Sequence, residues 1–266
     1  TIIEMLDRIL PIEDADVSLE LSRHYKKAGI SLLTSTKVLS AKTAGNEVVV
    51  KIQKKDGSEE EIKADYALNA IGIQANLENI GLDKLGITTE RNFIKVDKYM
   101  RTNVDNIFAI GDIAGPPWLA HKASAEGVLA AEFIAGHKVQ AIDYKNIPGC
   151  TYCQPQVASV GLTEQKAKEA GYEVKVGKFP FTASGKAHAI GEAVGFAKMV
   201  FDAKHGELLG AHLIGPEVTE MIGEATLARS LEATAQTIFK TIHPHPTLNE
   251  VIMEASAAAW GEATNI

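Results

Sequence analysis

The sequence predicts a mixed fold, α/β at its start and α+β toward its end, and three observations carry that expectation. Residues 1–4 are β-branched, end in an acid and run into a helical pattern. Residues 30–63 hold short strand-like runs divided by turn signals, and from about Ile142 apolar strands alternate with helices that have apolar faces. At 266 residues and 45% hydrophobic content the chain can bury a sizeable core. That length suits two compact units, by the rough expectation of ~150 residues per domain.

Thr1-Ile2-Ile3-Glu4 reads as the second strand of a dinucleotide-binding βαβ unit, whose terminal acid hydrogen-bonds a ribose 2′-hydroxyl. A glycine-rich loop is then expected about 20 residues upstream, so the chain reads as beginning inside a larger unit. Taken alone, Glu4 reads as a surface carboxylate. Residues 14–28 come next as an amphipathic helix, with Val17, Leu21 and Tyr25 at helical spacing. Residues 30–33, 38–41, 47–53 and 61–63 read as strands of a meander, parted by Ala44-Gly45-Asn46 and Lys55-Asp56-Gly57-Ser58. Residues 66–72 read as a buried strand ending at Gly72, where a missing side chain permits close backbone approach to a ligand.

Residues 101–112 form a second motif, in which a short apolar strand delivers Gly111-Asp112 to its end. The glycine admits a ligand and the carboxylate can accept hydrogen bonds from a polyol; a helix-capping Asp is the alternative reading. A helix rich in small residues is expected over 122–135, preceded by Leu119-Ala120-His121. Strands are expected over 157–161, 195–201 and 208–215, and helices over 217–231 and after Thr247.

The net charge of −7 and a pI near 5.7 argue against a nucleic-acid partner, which a basic face would attract. No apolar run is long enough to span a bilayer, and residues 1–20 lack the layout of a signal peptide. Cys150 and Cys153 are too few for a secreted disulfide framework, lack a second pair for zinc, and precede a strand where a redox pair opens a helix. The expected setting is cytoplasmic, or mitochondrial matrix in a eukaryote, with no resident metal.

Thr241-Ile-His-Pro-His-Pro-Thr-Leu-Asn-Glu250 holds the most informative chemistry. Pro246 restrains the residue before it, so His245 stands at the rigid entrance of the C-terminal segment. Thr247 is expected to cap a helix that puts Glu250 at its third position, where a carboxylate closes a capping box or turns back to an imidazole. A His held by a Glu serves as a general base near neutral pH. The alternative is a structural capping box beside a turn histidine; a metal pair of His243 and His245 lacks a third ligand nearby.

The segment 243–250 closely resembles the C-terminal motif of the flavin-dependent pyridine nucleotide-disulfide oxidoreductases, and the resemblance extends along nearly the whole chain. It implies that His245 manages thiol protons and that Glu250 orients it. By the same resemblance Asp112 binds the ribityl chain of FAD, Ala120 contributes backbone where 119–122 lies against the flavin, and His121 is structural. Glu4, within Ile-Ile-Glu-Met, implies NAD in preference to NADP, with Val38 and Gly72 as further contacts. Ile73-Gln74-Ala75-Asn76 departs from the family's Arg-x-Pro-Asn, so the resemblance assigns no contacts to that loop.

The resemblance further implies a partial NAD-binding domain of Rossmann-like type (1–74), a central FAD-contacting segment (75–141), and an interface domain of antiparallel sheet and helices (142–266) that makes a symmetric homodimer. The activity it implies is oxidation of protein-bound dihydrolipoamide through a redox disulfide and FAD, reducing NAD⁺. Lipoyl-bearing 2-oxo acid dehydrogenase or glycine cleavage components are the implied partners. The redox disulfide and both glycine loops are expected upstream of Thr1, so the isolated chain is expected to be inactive. Within the family, Glu4 argues against glutathione reductase, and the lack of a C-terminal cysteine pair argues against mercuric reductase. The rival outside it is a non-enzymatic dimerisation module. The His245–Pro246 bond is expected to be cis, with the imidazole bonded to Glu250 and directed across the dimer interface.

Overall fold

Ile2–Ile3 (β1), the helix Ala15–Lys27 (α1) and Leu32–Leu33 (β2) form a βαβ unit, with β1 and β2 paired in parallel. The computed structural model describes residues 1–265, and their contacts define two units, 1–67 with 145–266 and 68–144. Asp14 caps α1 by accepting the Asp16 N–H at 3.0 Å. Of the four strands expected in the meander, three form it, Lys37–Ala44 (β3), Glu47–Gln53 (β4) and Glu59–Ala64 (β5), all antiparallel; the run at 30–33 instead supplies β2 beside β1.

Residues 66–72 depart from expectation: they pair with no strand among the described residues, and Tyr66, Leu68 and Ile71 are 91%, 93% and 91% exposed. An apolar run becomes a buried strand only beside a sheet, and β1 and β2 make a sheet of two strands only.

The 68–144 unit contains the short pair Thr89–Glu90 (β6) and Phe93–Ile94 (β7), and the helix Ala120–Ile134 (α2). Residues 101–110 do not form the expected strand. They fold back on themselves through one bridge, Arg101 with Phe108, because Met100 and Thr102 take their backbone partners from Ala109 and Ile107. A 3-10 turn, Gly111–Ala114, comes after it. Two small clusters, one around Ile87, Ile94 and Ala109 and one around Met100, Leu129 and Ala130, hold the unit.

Chain 145–266 supplies Gly149–Thr151 (β8), Gln156–Gly161 (β9), Glu164–Glu169 (α3), Val174–Pro180 (β10), Gly185–Ala189 (α4), Phe196–Asp202 (β11), Leu208–Gly215 (β12), Val218–Ser230 (α5), Ala235–Lys240 (α6) and Glu250–Ala258 (α7). The five strands form an antiparallel sheet in the order β10-β11-β12-β9-β8. Every residue of β11 and β12 is buried, since both faces are covered. Alternation sorts them: Ala197, Met199, Phe201, Ala211 and Leu213 pack with α5, α6 and α7, whereas Phe196 and Ile214 pack with Val17 and Leu21 of α1. Among the described residues no helix is long and apolar enough to cross a membrane.

Candidate active site

Helix α7 starts at Glu250, later than the sequence suggests, because Thr247 does not cap it. The Thr247 hydroxyl donates backward to the Pro244 carbonyl at 2.8 Å, and Asn249, with helical backbone, precedes the helix without a side-chain cap. The other half of the capping box does form: Glu250 Oε2 accepts the Thr247 N–H at 2.9 Å. Glu250 Oε1 lies 2.8 Å from His245 Nδ1. One carboxylate thus holds both the helix entrance and the imidazole. Burial pulls the Glu250 carboxyl upward, but the Thr247 N–H and His245 outweigh it and leave it below the ordinary value.

His245 itself is 77% exposed, and its bond to Pro246 is cis. With Nδ1–H donated to Glu250, Nε2 is the acceptor nitrogen, and it has no protein partner among the described residues. His243 is the opposite case. Its side chain is 5% exposed, Nδ1 sits 2.9 Å from the Thr241 carbonyl, and Nε2 sits 2.8 Å from Glu224 Oε1. Glu224 also accepts from Asn249 Nδ2 at 2.8 Å, tying α5 to the turn before α7. Glu224 lies in no recognisable spacing, and Asn249, though inside the motif of 243–250, is assigned no role there by the sequence.

The ground under α7 is β10, where Gly177 lets the helix come close: a Cβ there would fall on the Ala255 carbonyl oxygen. Val251, Ile252 and Ala255 are 0% exposed, so the helix carrying Glu250 is fixed by the core.

In the 68–144 unit, Gly111 adopts φ +75°, a conformation glycine tolerates best, and a Cβ there would stand 3.3 Å from that of Ala123. Its N–H donates to Glu126 Oε2 at 2.7 Å, while Lys122 Nζ donates to the carbonyls of Gly111 at 3.0 Å and Gly115 at 2.7 Å. Lys122 and Glu126 are 3.2 Å apart and each side chain is 1% exposed. The sequence reading missed this pair; its one signal is the i,i+4 spacing of a Lys and a Glu on a helix of small residues. The Asp112 side chain is exposed, and α2 begins at Ala120 with no side-chain cap from Leu119. An exposed carboxylate beside an uncapped helix start fits a polyol joined to an electron-rich ring, the chemistry of FAD.

Glu4 stands at the end of β1 with Oε1 bonded to the Leu6 N–H at 2.8 Å, which leaves Oε2 for a ribose diol and so fits NAD. Val38 on β3 is 44% exposed, and Gly72, at φ +131°, has open space where a Cβ would be. The structure thus joins His245 to Glu250, and bonds the turn that holds Asp112 to Lys122 and Glu126 of α2, the helix that starts at Ala120. Glu4 and Val38 belong to the first unit and Gly72 to the second. Cys150 and Cys153 are free thiols, both pushed up by burial, and no cluster of three or more metal-binding side chains occurs among the described residues.

Residues 1–127 match the model of the pyridine nucleotide-disulphide oxidoreductases, and residues 147–256 match that family's dimerisation domain. The chain is 53% identical over 264 residues to a dihydrolipoyl dehydrogenase of Zymomonas mobilis, covering 99% of this chain and 57% of that protein. It is 47% identical to that of Bacillus subtilis, covering 99% of this chain and 56% of that one. The chain therefore spans a little over half the length of the curated relatives it matches. Among solved structures, LpdA from Mycobacterium tuberculosis aligns with a TM-score of 0.86 at 26% identity, covering 95% of this chain and 54% of that one. The flavoprotein disulfide reductase RclA from Escherichia coli shares the fold, with a TM-score of 0.88 at 24% identity over 96% of this chain and 58% of that one. With two successive models of one family accounting for most of its length, the chain belongs to the pyridine nucleotide-disulphide oxidoreductases.

Proposed function

We propose that the chain carries the proton-handling end of a dihydrolipoyl dehydrogenase, and the observation that carries this reading is the contrast between the two histidines. His243 has both ring nitrogens engaged, whereas His245 keeps Nε2 available while Glu250 holds Nδ1. In this reading His245 Nε2 takes a proton from a thiol of dihydrolipoamide, producing the thiolate that is the reactive nucleophile. Glu250 fixes the tautomer beforehand and stabilises the imidazolium that forms. The exposure of His245 then lets the proton pass on to water. FAD and NAD⁺, when bound, supply the redox chemistry that carries electrons from the thiols to the nicotinamide. Asp112 and Ala120 would hold the flavin; Glu4, Val38 and Gly72 would hold the dinucleotide.

The same reading assigns 1–74 to the NAD domain, 75–141 to the central segment and 142–266 to the interface domain. It makes the protein a cytoplasmic homodimer in which His245 serves the site across the interface, with lipoyl-bearing 2-oxo acid dehydrogenase or glycine cleavage components as substrates. Identity to dihydrolipoyl dehydrogenases of 44–53% supports it. The test is the rate of NAD⁺ reduction by dihydrolipoamide in the full-length protein. His245→Gln is expected to lower it by ~10²–10⁴, the usual cost of losing a general base, and His243→Gln by much less. Equal losses would refute the assignment. A flavin-free, inactive full-length protein would favour a dimerisation module.

A further inference from the structure

The Lys122–Glu126 pair is puzzling as a stabilising device. Two charges taken out of water lose hydration, and their mutual attraction repays that loss only partly, so a buried ion pair contributes little net stability. Here both side chains are 1% exposed, and their hydrogen bonds go to the backbone of one five-residue turn. Glu126 holds the N–H on the near side of Gly111, and Lys122 holds the Gly111 carbonyl, which belongs to the peptide leading into Asp112. A third bond, from Lys122 to Gly115, closes the far side. Tyr144 donates its hydroxyl to Glu126 Oε1 at 2.6 Å and so completes the carboxylate's partners.

Both charges stand on α2, Lys122 in its first turn and Glu126 in its second. The clamp therefore couples the peptide flanking Asp112 to the helix whose start lies at Ala120, at a positive φ that glycine adopts without strain. A rigidly spaced carboxylate and helix terminus is what a ligand with a polyol and a ring would need, because ordering them on binding would cost affinity.

We propose that Lys122 and Glu126 are positioning residues for the flavin: they touch no cofactor themselves but preset Asp112 and the α2 start to receive it. This rests on the reading that Asp112 holds the flavin. The test is FAD affinity of the deflavinated full-length protein, measured by flavin fluorescence, together with the thermal midpoint of the flavin-free form. Four forms are compared: the parent, Asp112→Ala, Lys122→Met/Glu126→Leu, and the combination. The apolar pair removes both charges together and so avoids leaving one stranded. It is expected to weaken FAD binding about tenfold, the scale of one well-made hydrogen bond, and to lower the flavin-free midpoint as well, because Gly111 and Gly115 lose their buried partners. Asp112→Ala is expected to weaken binding in the parent and much less in the clamp-free background, since a mispositioned carboxylate has less to lose.

Fully additive losses, or undiminished affinity in the clamp-free protein, would overturn the proposal while leaving Asp112 in place as a ligand. No effect of Asp112→Ala in the parent would instead overturn the underlying reading. Should the double variant fail to fold, Tyr144→Phe removes a single hydroxyl at the half-exposed end of the network. It is expected to weaken FAD binding about threefold with the flavin-free midpoint retained, and unchanged affinity there refutes the clamp.

Discussion

Lys198 Nζ lies 2.9 Å from Asp14 Oδ1, joining residues 184 positions apart, with both side chains nearly sealed from solvent. Lys198 also reaches Asp16 at 3.1 Å and Glu164 at 2.8 Å, so one ammonium on β11 gathers carboxylates from the ends of α1 and α3. Lys198→Met should leave Asp14 buried without its partner and cost about 3 kcal/mol or more of folding stability. Urea denaturation checks this. Adding Asp14→Asn should recover part of the loss, because the two residues are coupled, and strictly additive losses would contradict the pairing.

His212 offers a pH signature. It is 2% exposed on β12, its Nε2 sits 2.9 Å from the Leu162 carbonyl, and its Nδ1 has no partner among the described residues. Burial holds its pKa below the ordinary 6.5, against the smaller opposing pull of the Leu162 carbonyl and Asp14, and Lys198 and Lys166 add to the lowering. Between 6.5 and the folded-state value the unfolded chain binds a proton that the folded chain refuses. Stability is therefore full above 6.5 and falls as pH drops through that window, by up to about 1.4 kcal/mol per unit. His212→Gln should flatten the slope just below pH 6.5; an identical slope in both proteins would count against His212.

Glu250→Gln in the full-length protein should lower kcat about tenfold with little change in KM, well under the loss from removing the base itself. The amide removes the negative charge that stabilises the protonated imidazole, and it leaves one acceptor oxygen to serve both the imidazole and the Thr247 N–H. Steady-state kinetics with dihydrolipoamide measure it, and an unaltered kcat would show that the 2.8 Å contact has no part in the chemistry.

Gly177→Ala should destabilise by about 3 kcal/mol or more, because the new methyl meets the Ala255 carbonyl and backbone on both sides is fixed. Thermal unfolding reads the loss, and the rate of dihydrolipoamide oxidation should fall with it as α7 moves. A wild-type midpoint would mean that β10 and α7 can separate freely.

The parts of the fold legible in sequence were those whose signal is local. The runs that became β11 and β12 are continuous apolar stretches bounded by turns, and His245 and Glu250 lie five residues apart within one rigid segment. What escaped was nonlocal. Lys122, Glu126, Lys198 and Glu224 look like surface charges in a string of letters, and only the folded chain reveals that their partners are backbone or residues far away in sequence. The run at 66–72 failed for a related reason: apolar character states a demand for cover without stating what provides it.

The double duty of Glu250 has a consequence for how this protein can change. Its two oxygens are divided between the Thr247 amide and the imidazole, so any substitution that retunes the base also disturbs the first turn of α7. Reactivity and architecture share one side chain and cannot be adjusted separately. Variants selected for a faster or slower base at this position would be filtered first by whether the helix still starts, which confines adjustment of the chemistry to the surroundings of His245 and away from its anchor.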